Sequence, residues 1–589
     1  MSVVPNTLID TKVRRSSHLA LWRERLLVVG FVLLLLIITA VPYVYGYLSA
    51  PEGRVFQGIV FNVADITQYW SWMRDHGTAL MVSNRMTPEP NDPALFNTLW
   101  LALGQFQQVI GWSEPVMYQL LRVVGGGAFL LTLWWFVGLL VAERSKRWVT
   151  YLVATLGGGL GWIWVIDKYV NGLTDVRFPL DLYVVEPNTL FALLTLPHFL
   201  VAAALLLATF GCFLLAERQN DDWRGYALST MWALLLGVQH AYDLLMIYFI
   251  LGAYVLLQFI KARRILWGRF WGLAAVGFLS FPPAGYFTFL TTQNPLWREI
   301  LDQFSNAGVF TPNLLHIPIL LGITFIITII YGIDRIRNSG RTIFARSDRT
   351  TPAPLFNTQF LWVWAIVGFG LLYIPADFQI HMLNPYQVPL ALLATHALWQ
   401  WTATRRDAES HAQDSKTTKS RWSLLKSRRF LAILFILAVL PTNLYLWSWR
   451  IIDLRRAEAP FYLSPDEVTV LDWLEERSSE NAVVFSGMEI GQYVPALTGH
   501  RAFLSHWAMT VGFFEKRETV KAFYDSATPA EDRYQLLNRY DVQYVVYGIE
   551  EHTLGAQHSN IGSFDPATDT RFEEVFTTAE VVVFQVERE

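Results

Sequence analysis

"RERLLVVGFVLLLLIITAVPYVYGYL", residues 23–48, decides the fold class. Two arginines precede a run from Leu26 to Leu48 that carries no charge. A hydrocarbon core of about 30 Å takes about 20 helical residues to cross, so this run is long enough to span a bilayer. It is also about twice as long as the apolar core of a signal peptide, and 25 residues of polar, basic sequence precede it; it reads as a retained anchor. Further apolar stretches lie near 117–142, 148–166, 189–216, 225–240, 241–260, 270–290, 313–333, 358–376, 383–402 and 429–449, which predicts about eleven spans. The whole chain agrees: 53% of its 589 residues are apolar, 15% aromatic and only 16% charged, too apolar for an ordinary soluble protein.

The net charge of −3 says little, because in a membrane protein the position of the charges is what informs. With the N-terminus in the cytoplasm, 27 Lys and Arg residues fall on inner segments, including Arg14, Arg15, Arg23, Arg25, the arginines from Arg335 to Arg349 and the basic 403–429 loop. The outer loops up to residue 449 hold six: Arg54, Arg74, Arg85, Lys168, Arg177 and Arg298. The asymmetry predicts a multi-pass protein of the cell membrane with residues 1–25 cytoplasmic, 26–449 membrane-embedded and a long first external loop over 49–116. The weakest span boundary is 225–260, where Gln239, His240 and Asp243 interrupt the apolar run and mark either an outer hairpin or a broken helix.

After Trp449 the character changes. Residues 450–589 hold 12 Lys/Arg and 24 Asp/Glu with short strand-like runs, which predicts a soluble, acidic, extracytoplasmic α/β domain. In "SPDEVTVLDWLEERSSENAVVFSG", Ser464, Pro465 and Glu467 predict a capped helix start, followed by a buried strand. "YDVQYVVYGIE" and "FEEVFTTAEVVVFQVE" predict further strands. The single cysteine, Cys212, excludes an internal disulfide, and there is no Cys/His metal cluster. The glycine runs at 125–127 and 157–161 lack a following P-loop lysine and read as sites of close helix approach. Residues 405–420 are of low complexity and predict a solvated loop.

The polar residues that a bilayer disfavours gather on the outer side. The first loop carries "FNVADITQYWSWMRDHG" and "NRMTPEPNDPALFNTLW", with Asp65, Tyr69 and Glu89. Facing the same way are Arg122, about one turn into the second span, Glu186 and His198 in "VVEPNTLFALLTLPHF", His240 and Asp243 in "QHAYD", Arg298, and His381 in "DFQIHMLNPYQ". Ionisable groups cost roughly 2.5–3.5 kcal/mol each near a helix centre, and a one-sided cluster predicts a water-filled outer cavity. Each has a plainer reading beside it. Asp65 begins a D-x-x-Q pattern and serves as a helix cap; Glu89, between two prolines, is solvated; Arg122 snorkels to headgroups. His198 bonds backbone freed by Pro197, and His240 and Asp243 end two helices.

The order of parts, with Asp65 and Tyr69 as D-x-x-x-Y and Asn84, Thr87, Glu89 and Pro90 as N-x-x-T-x-E-P in the first loop, resembles the GT-C class of integral-membrane glycosyltransferases. That class includes protein mannosyltransferases, aminoarabinose transferases and oligosaccharyltransferases; the bacterial polyprenyl-phosphate-sugar-dependent members are the more similar. The resemblance implies a mainly α polytopic fold, a polyprenyl-phosphate-linked sugar donor among membrane lipids, and an inverting transfer to an acceptor hydroxyl or amine. It does not identify that acceptor as glycan, lipid or protein, and nucleic acid is not expected. It also implies that Asp65 is the catalytic base, with Glu89 beside it. The leaving phosphate needs a cation; Arg122 is the first choice, with Arg298 and His198 next. No strict D-x-D occurs in the first loop, so a divalent metal (Mg or Mn) stays open, with Asp65, Glu89 and Glu186 as the plausible oxygen ligands. The competing expectations are a transporter or flippase of lipid-linked glycans, and a non-catalytic glycan-binding membrane protein of the same architecture.

Overall fold

The structure is a computed structural model that describes residues 7–174, 180–304, 310–339, 358–412, 428–477, 481–559 and 561–587. Arg177, Arg341, Arg346, Arg349 and residues 413–427 of the basic loop lie outside the described residues. The chain is mainly helical. Among the described residues, seven helices are long and apolar enough to cross a membrane: Trp22–Leu48, Glu114–Leu140, Pro197–Arg218, Ala241–Ala262, Trp267–Gln293, Ile317–Arg337 and Arg428–Leu454. Arg144–Leu156 and Gly161–Asn171, bent by 47° at the "GGGLG" break, make an eighth if counted as one span. By length and composition, seven or eight of the eleven expected spans are found among the described residues. The other three expected spans are also helical, but Trp223–Gln239 and Thr358–Leu371 have only 17 and 14 residues. At 1.5 Å rise per residue these reach about 25 and 21 Å, short of a bilayer core. Gln387–Ala412 runs past its apolar part into charged sequence.

Packing explains both glycine runs. A β-carbon on Gly126 would stand 2.2 Å from the Leu193 side chain, and one on Gly125 2.7 Å from Val201, so the Glu114–Leu140 helix lies directly on the segment around Pro197. At the second run, the Gly161 N–H donates to the buried Asp181 carboxylate at 2.9 Å, and the Leu160 N–H to the Ile319 carbonyl at 2.7 Å. The break at 157–160 thus exchanges helical hydrogen bonds for tertiary ones, as buried backbone requires.

The C-terminal residues form a five-stranded sheet of β3 (Val483–Phe485), β4 (Arg501–Ala502), β5 (Val542–Tyr547), β6 (Phe572–Thr577) and β7 (Val582–Val586), in the order β4-β3-β5-β7-β6. β3 is parallel to β4 and β5, while β7 is antiparallel to β5 and β6. The helix Pro465–Glu475 opens with a full capping box: the Ser464 hydroxyl accepts the Glu467 N–H, and the Glu467 carboxylate accepts the Ser464 N–H. β1 (Val55–Phe56) pairs antiparallel with β2 (Tyr462–Leu463), tying the start of the first loop to the start of the C-terminal part. Arg85 extends that tie. Its guanidinium holds Asp75 at 2.7 Å and donates to the Gly499 carbonyl at 2.7 Å.

Candidate functional site

The site is built on the helix Val63–His76, which starts one residue after Asn62. Asn62 has φ 45°, the left-handed conformation an asparagine tolerates, and its side-chain oxygen accepts the Asp65 N–H at 3.4 Å. Asn62, and not Asp65, is therefore the cap. That frees the Asp65 carboxylate, which projects from the first helical turn; its Oδ2 accepts from Asn62 Nδ2 at 2.6 Å, and its Oδ1 lies 2.8 Å from His506 Nε2. The Asp65 side chain remains one-quarter exposed, whereas the His506 ring is buried.

One turn on, the Tyr69 ring stacks on Trp100 and lies 4.4 Å from the His198 ring. Burial first, and then the charges of Asp65 and Glu186, push the Tyr69 phenol well above its ordinary range, so it is a hydrogen-bond donor at any working pH. His198 sits 5.6 Å from His240, centroid to centroid. His240 Nδ1 shares a hydrogen bond with the buried Asp243 carboxyl group at 3.1 Å, and its Nε2 another with the Tyr242 hydroxyl at 3.1 Å. Tyr242 stacks on His381 at 4.9 Å, and His381 Nδ1 bonds Glu186. Phe304 stacks on His381 at 6.0 Å and on Trp507 at 5.8 Å, and Trp507 adjoins His506. The contacts run from Tyr69 through His198, His240, Tyr242, His381, Phe304, Trp507 and His506 to Asp65, and one helical turn from Asp65 to Tyr69 completes the circuit.

The structure thus brings together Asp65, Tyr69, Glu186, His198, His240, Asp243 and His381, drawn from four separate stretches of chain. Three other expected site residues lie apart from the circuit. Arg122 is buried, donates to Thr39 at 2.8 Å and Gln119 at 2.7 Å, and faces the Tyr43 ring, so it does not snorkel. Glu89 is not freely solvated either: Thr87 donates to one oxygen and Lys516 holds the other at 2.5 Å. Arg298 is exposed on the helix Pro295–Phe304. The three acids expected as metal ligands each face a different partner, and among the described residues no three His, Cys, Asp or Glu side chains gather to hold a metal ion. This donor set does not fit a metal centre.

A cavity of about 900 Å³ lies elsewhere, against Leu26, Gly30, Leu34, Arg144 and Trp148, at the end of the first helix remote from the loop that bears Asp65. Three residues at or near the site gave no signal in the sequence. His506 and Trp507 come from the loop 505–512, and 441 residues separate His506 from Asp65. Arg450, which follows the last expected span and falls in the stretch expected as an acidic soluble domain, is buried with its guanidinium 5.1 Å from the Phe61 ring; its Nε has no hydrogen-bond partner among the described residues.

Compared by structure, the chain shares its fold with integral-membrane glycosyltransferases of the GT-C class. The archaeal oligosaccharyltransferase AglB from Archaeoglobus fulgidus, in complex with an inhibitory peptide and a dolichol-phosphate, matches with a TM-score of 0.53 and 14% identity, over 90% of this chain and 70% of that one. The oligosaccharyltransferase from the same organism, tethered by a disulfide to an acceptor peptide with an NVT sequon, matches with a TM-score of 0.51 and 13% identity, over 95% and 74%. ArnT from Cupriavidus metallidurans, bound to undecaprenyl phosphate, gives a TM-score of 0.46 and 10% identity, over 94% and 98%. By sequence, no family model and no curated protein matches the chain. At these identities the likeness is one of fold.

Proposed function

We propose that the protein is a membrane glycosyltransferase that moves a sugar from a polyprenyl-phosphate donor to an acceptor on the extracytoplasmic side, with inversion and with Asp65 as general base. The observation that carries this reading is the placement of Asp65: a carboxylate held by two donors, open on one side, facing a partly buried circuit of histidines, tyrosines and acids. The fold it shares with AglB, a protein solved with a dolichol-phosphate, supports a lipid-linked donor. In the proposed step a lone pair of the acceptor oxygen or nitrogen attacks the anomeric carbon as the bond to the phosphate oxygen breaks. The bonding pair leaves with the phosphate, and the acceptor proton passes to Asp65. Each Asp65 oxygen keeps a second acceptor position beside the bond it already makes, so a proton can be received there. A single displacement of this kind inverts the anomeric centre.

Negative charge grows on the phosphate, and a preorganised cation stabilises it. The Arg450 guanidinium donates to the Val60 carbonyl at 3.4 Å and lies 3.6 Å from Asp453, but its Nε–H has no partner among the described residues and it packs on Phe61, four residues before Asp65, so we place the phosphate there. No step is routed through a metal. The test is to incubate purified protein with a panel of polyprenyl-phosphate sugars and candidate acceptors. The anomeric configuration of any product is then read by NMR. Transfer with the opposite anomer to the donor supports the reading; retention, or no transfer with any donor, contradicts it.

A further inference from the structure

We infer that His506 is a positioning residue for Asp65: the C-terminal loop 505–512 carries it to the carboxylate as a fixed N–H donor, and the first-loop residues Asn84, Thr87 and Glu89 are the rack that seats that loop. The inference rests on the reading of Asp65 as the base.

The tautomer follows from the loop's own backbone. The N–H groups of Ala508 and Met509 both aim at His506 Nδ1, at 3.0 and 3.2 Å. Two donors cannot face a third, so Nδ1 presents its lone pair and the ring proton sits on Nε2, 2.8 Å from Asp65 Oδ1. The hydrogen bond therefore runs one way, from histidine to carboxylate. His506 is 3% exposed, with one nitrogen spent on its own loop and the other on Asp65; it has no face left for a substrate. Its part is to fix which way the Asp65 carboxylate points, from the side opposite Asn62.

The loop is bound at almost every peptide group. Asn84 Nδ2 donates to the Met509 carbonyl at 2.8 Å, and the Thr87 hydroxyl accepts the Val511 N–H at 3.2 Å and donates to Glu89. Glu89 in turn holds Lys516, whose ammonium also donates to the Val511 carbonyl at 2.8 Å. From the other side, Gln303 Nε2 donates to the carbonyls of Trp507 and Thr510 at 2.8 and 2.7 Å, and its oxygen accepts the Gly512 N–H at 3.0 Å. All three polar positions of N-x-x-T-x-E-P thus serve the loop that delivers His506. The motif and Asp65 act on one device, although they contact different parts of it.

Two substitutions separate positioning from scaffolding, because glutamine and asparagine each mimic one nitrogen of the ring. In His506→Gln the amide reaches the place of Nε2 and keeps a donor to Asp65, while the acceptor for the Ala508 and Met509 amides is lost. In His506→Asn the side-chain oxygen reaches the place of Nδ1 and keeps the loop, while the donor to Asp65 is lost. Positioning predicts that His506→Asn lowers kcat by about 10²-fold, the scale of a misplaced catalytic group, with the donor KM little changed. It predicts that His506→Gln retains at least roughly tenfold more kcat than His506→Asn. The reverse order, or equal kcat in both, overturns it. Histidine ¹⁵N NMR on the whole protein, with the His506 signal assigned by its loss in His506→Asn, supplies a readout that needs no turnover. A proton on Nε2 whose shift moves in Asp65→Asn supports the inference; a proton on Nδ1, or no response to Asp65→Asn, overturns it. Wild-type protein inactive on every donor contradicts the glycosyltransferase reading, and the NMR result still decides the role of His506.

Discussion

Arg450 is buried with one guanidinium N–H uncommitted, and a buried donor without a partner costs about 1–3 kcal/mol. A phosphate oxygen would satisfy that donor and repay the burial of the charge. The flat guanidinium fork also packs on Phe61 and reaches Asp453 at 3.6 Å, which a lysine's point charge cannot reproduce together. Arg450→Lys should therefore raise the donor KM by roughly tenfold, about 1.4 kcal/mol, while the melting temperature stays close to wild type. Titration of the purified variant with a polyprenyl phosphate checks this, and an unchanged affinity removes Arg450 from the phosphate site. Asn62 gives a second test at this scale. Its φ of 45° suits glycine, so Asn62→Gly should cost a few tenths of a kcal/mol of stability, whereas Asn62→Ala, strained and without the cap, should cost about 1–2 kcal/mol. Both variants lose the bond to Asp65 Oδ2, so both should slow transfer. Thermal melts and turnover measured side by side separate the two effects.

At the scale of elements, helix starts carry much of the design. The capping box at Ser464 was legible because its residues are contiguous; D-x-x-Q misled because Asn62, three residues before Asp65, makes the better cap and leaves Asp65 inside the first turn. The turn after β3 shows a tertiary form of the same device. The Glu550 carboxylate accepts the Met488 and Glu489 N–H groups at 2.9 and 2.7 Å, and Glu551 accepts those of Gly487 and Gly548 at 2.8 and 2.9 Å. Burial, chiefly, raises both carboxyls, Glu550 further through the neighbouring Glu551 and Glu489. With the folded pKa above the unfolded one, the folded state holds more protons in between, so stability present at low pH is lost as pH rises through that window. The melting temperature should fall from about pH 5 to about pH 8, and Glu489→Gln, which removes one like charge, should raise it at pH 8 and flatten the slope. A flat profile in the wild type would contradict this.

At the scale of the molecule, the first loop and the C-terminal sheet form one assembly over the helix ends, clamped by Arg85, by β1 with β2 and by the Glu89–Lys516 pair. Lys516 is buried, and burial lowers its pKa against the pull of Glu89. Lys516→Met keeps the volume but leaves Glu89 without its cation; it should release the 505–512 loop, seen as faster amide exchange there, and lower kcat with it. Exchange unchanged from wild type would make the pair incidental. The membrane class and the polar clustering around Asp65, His198, His240 and His381 were legible because hydropathy and charge placement are properties of the chain itself. His506, Trp507 and Arg450 were not, since their meaning lies in contacts hundreds of residues away that no local spacing encodes. Apolar stretches mark burial of either kind, and most residues of the 14-residue helix Thr358–Leu371 are buried within the protein itself. What ties these scales together is the role of Asp65, and one comparison tests it most directly: transfer from a polyprenyl-phosphate sugar by wild-type protein and by Asp65→Asn, with donor affinity measured in both. A kcat lower by about a hundredfold or more at unchanged affinity is expected for loss of the base; equal turnover by the two proteins would contradict it.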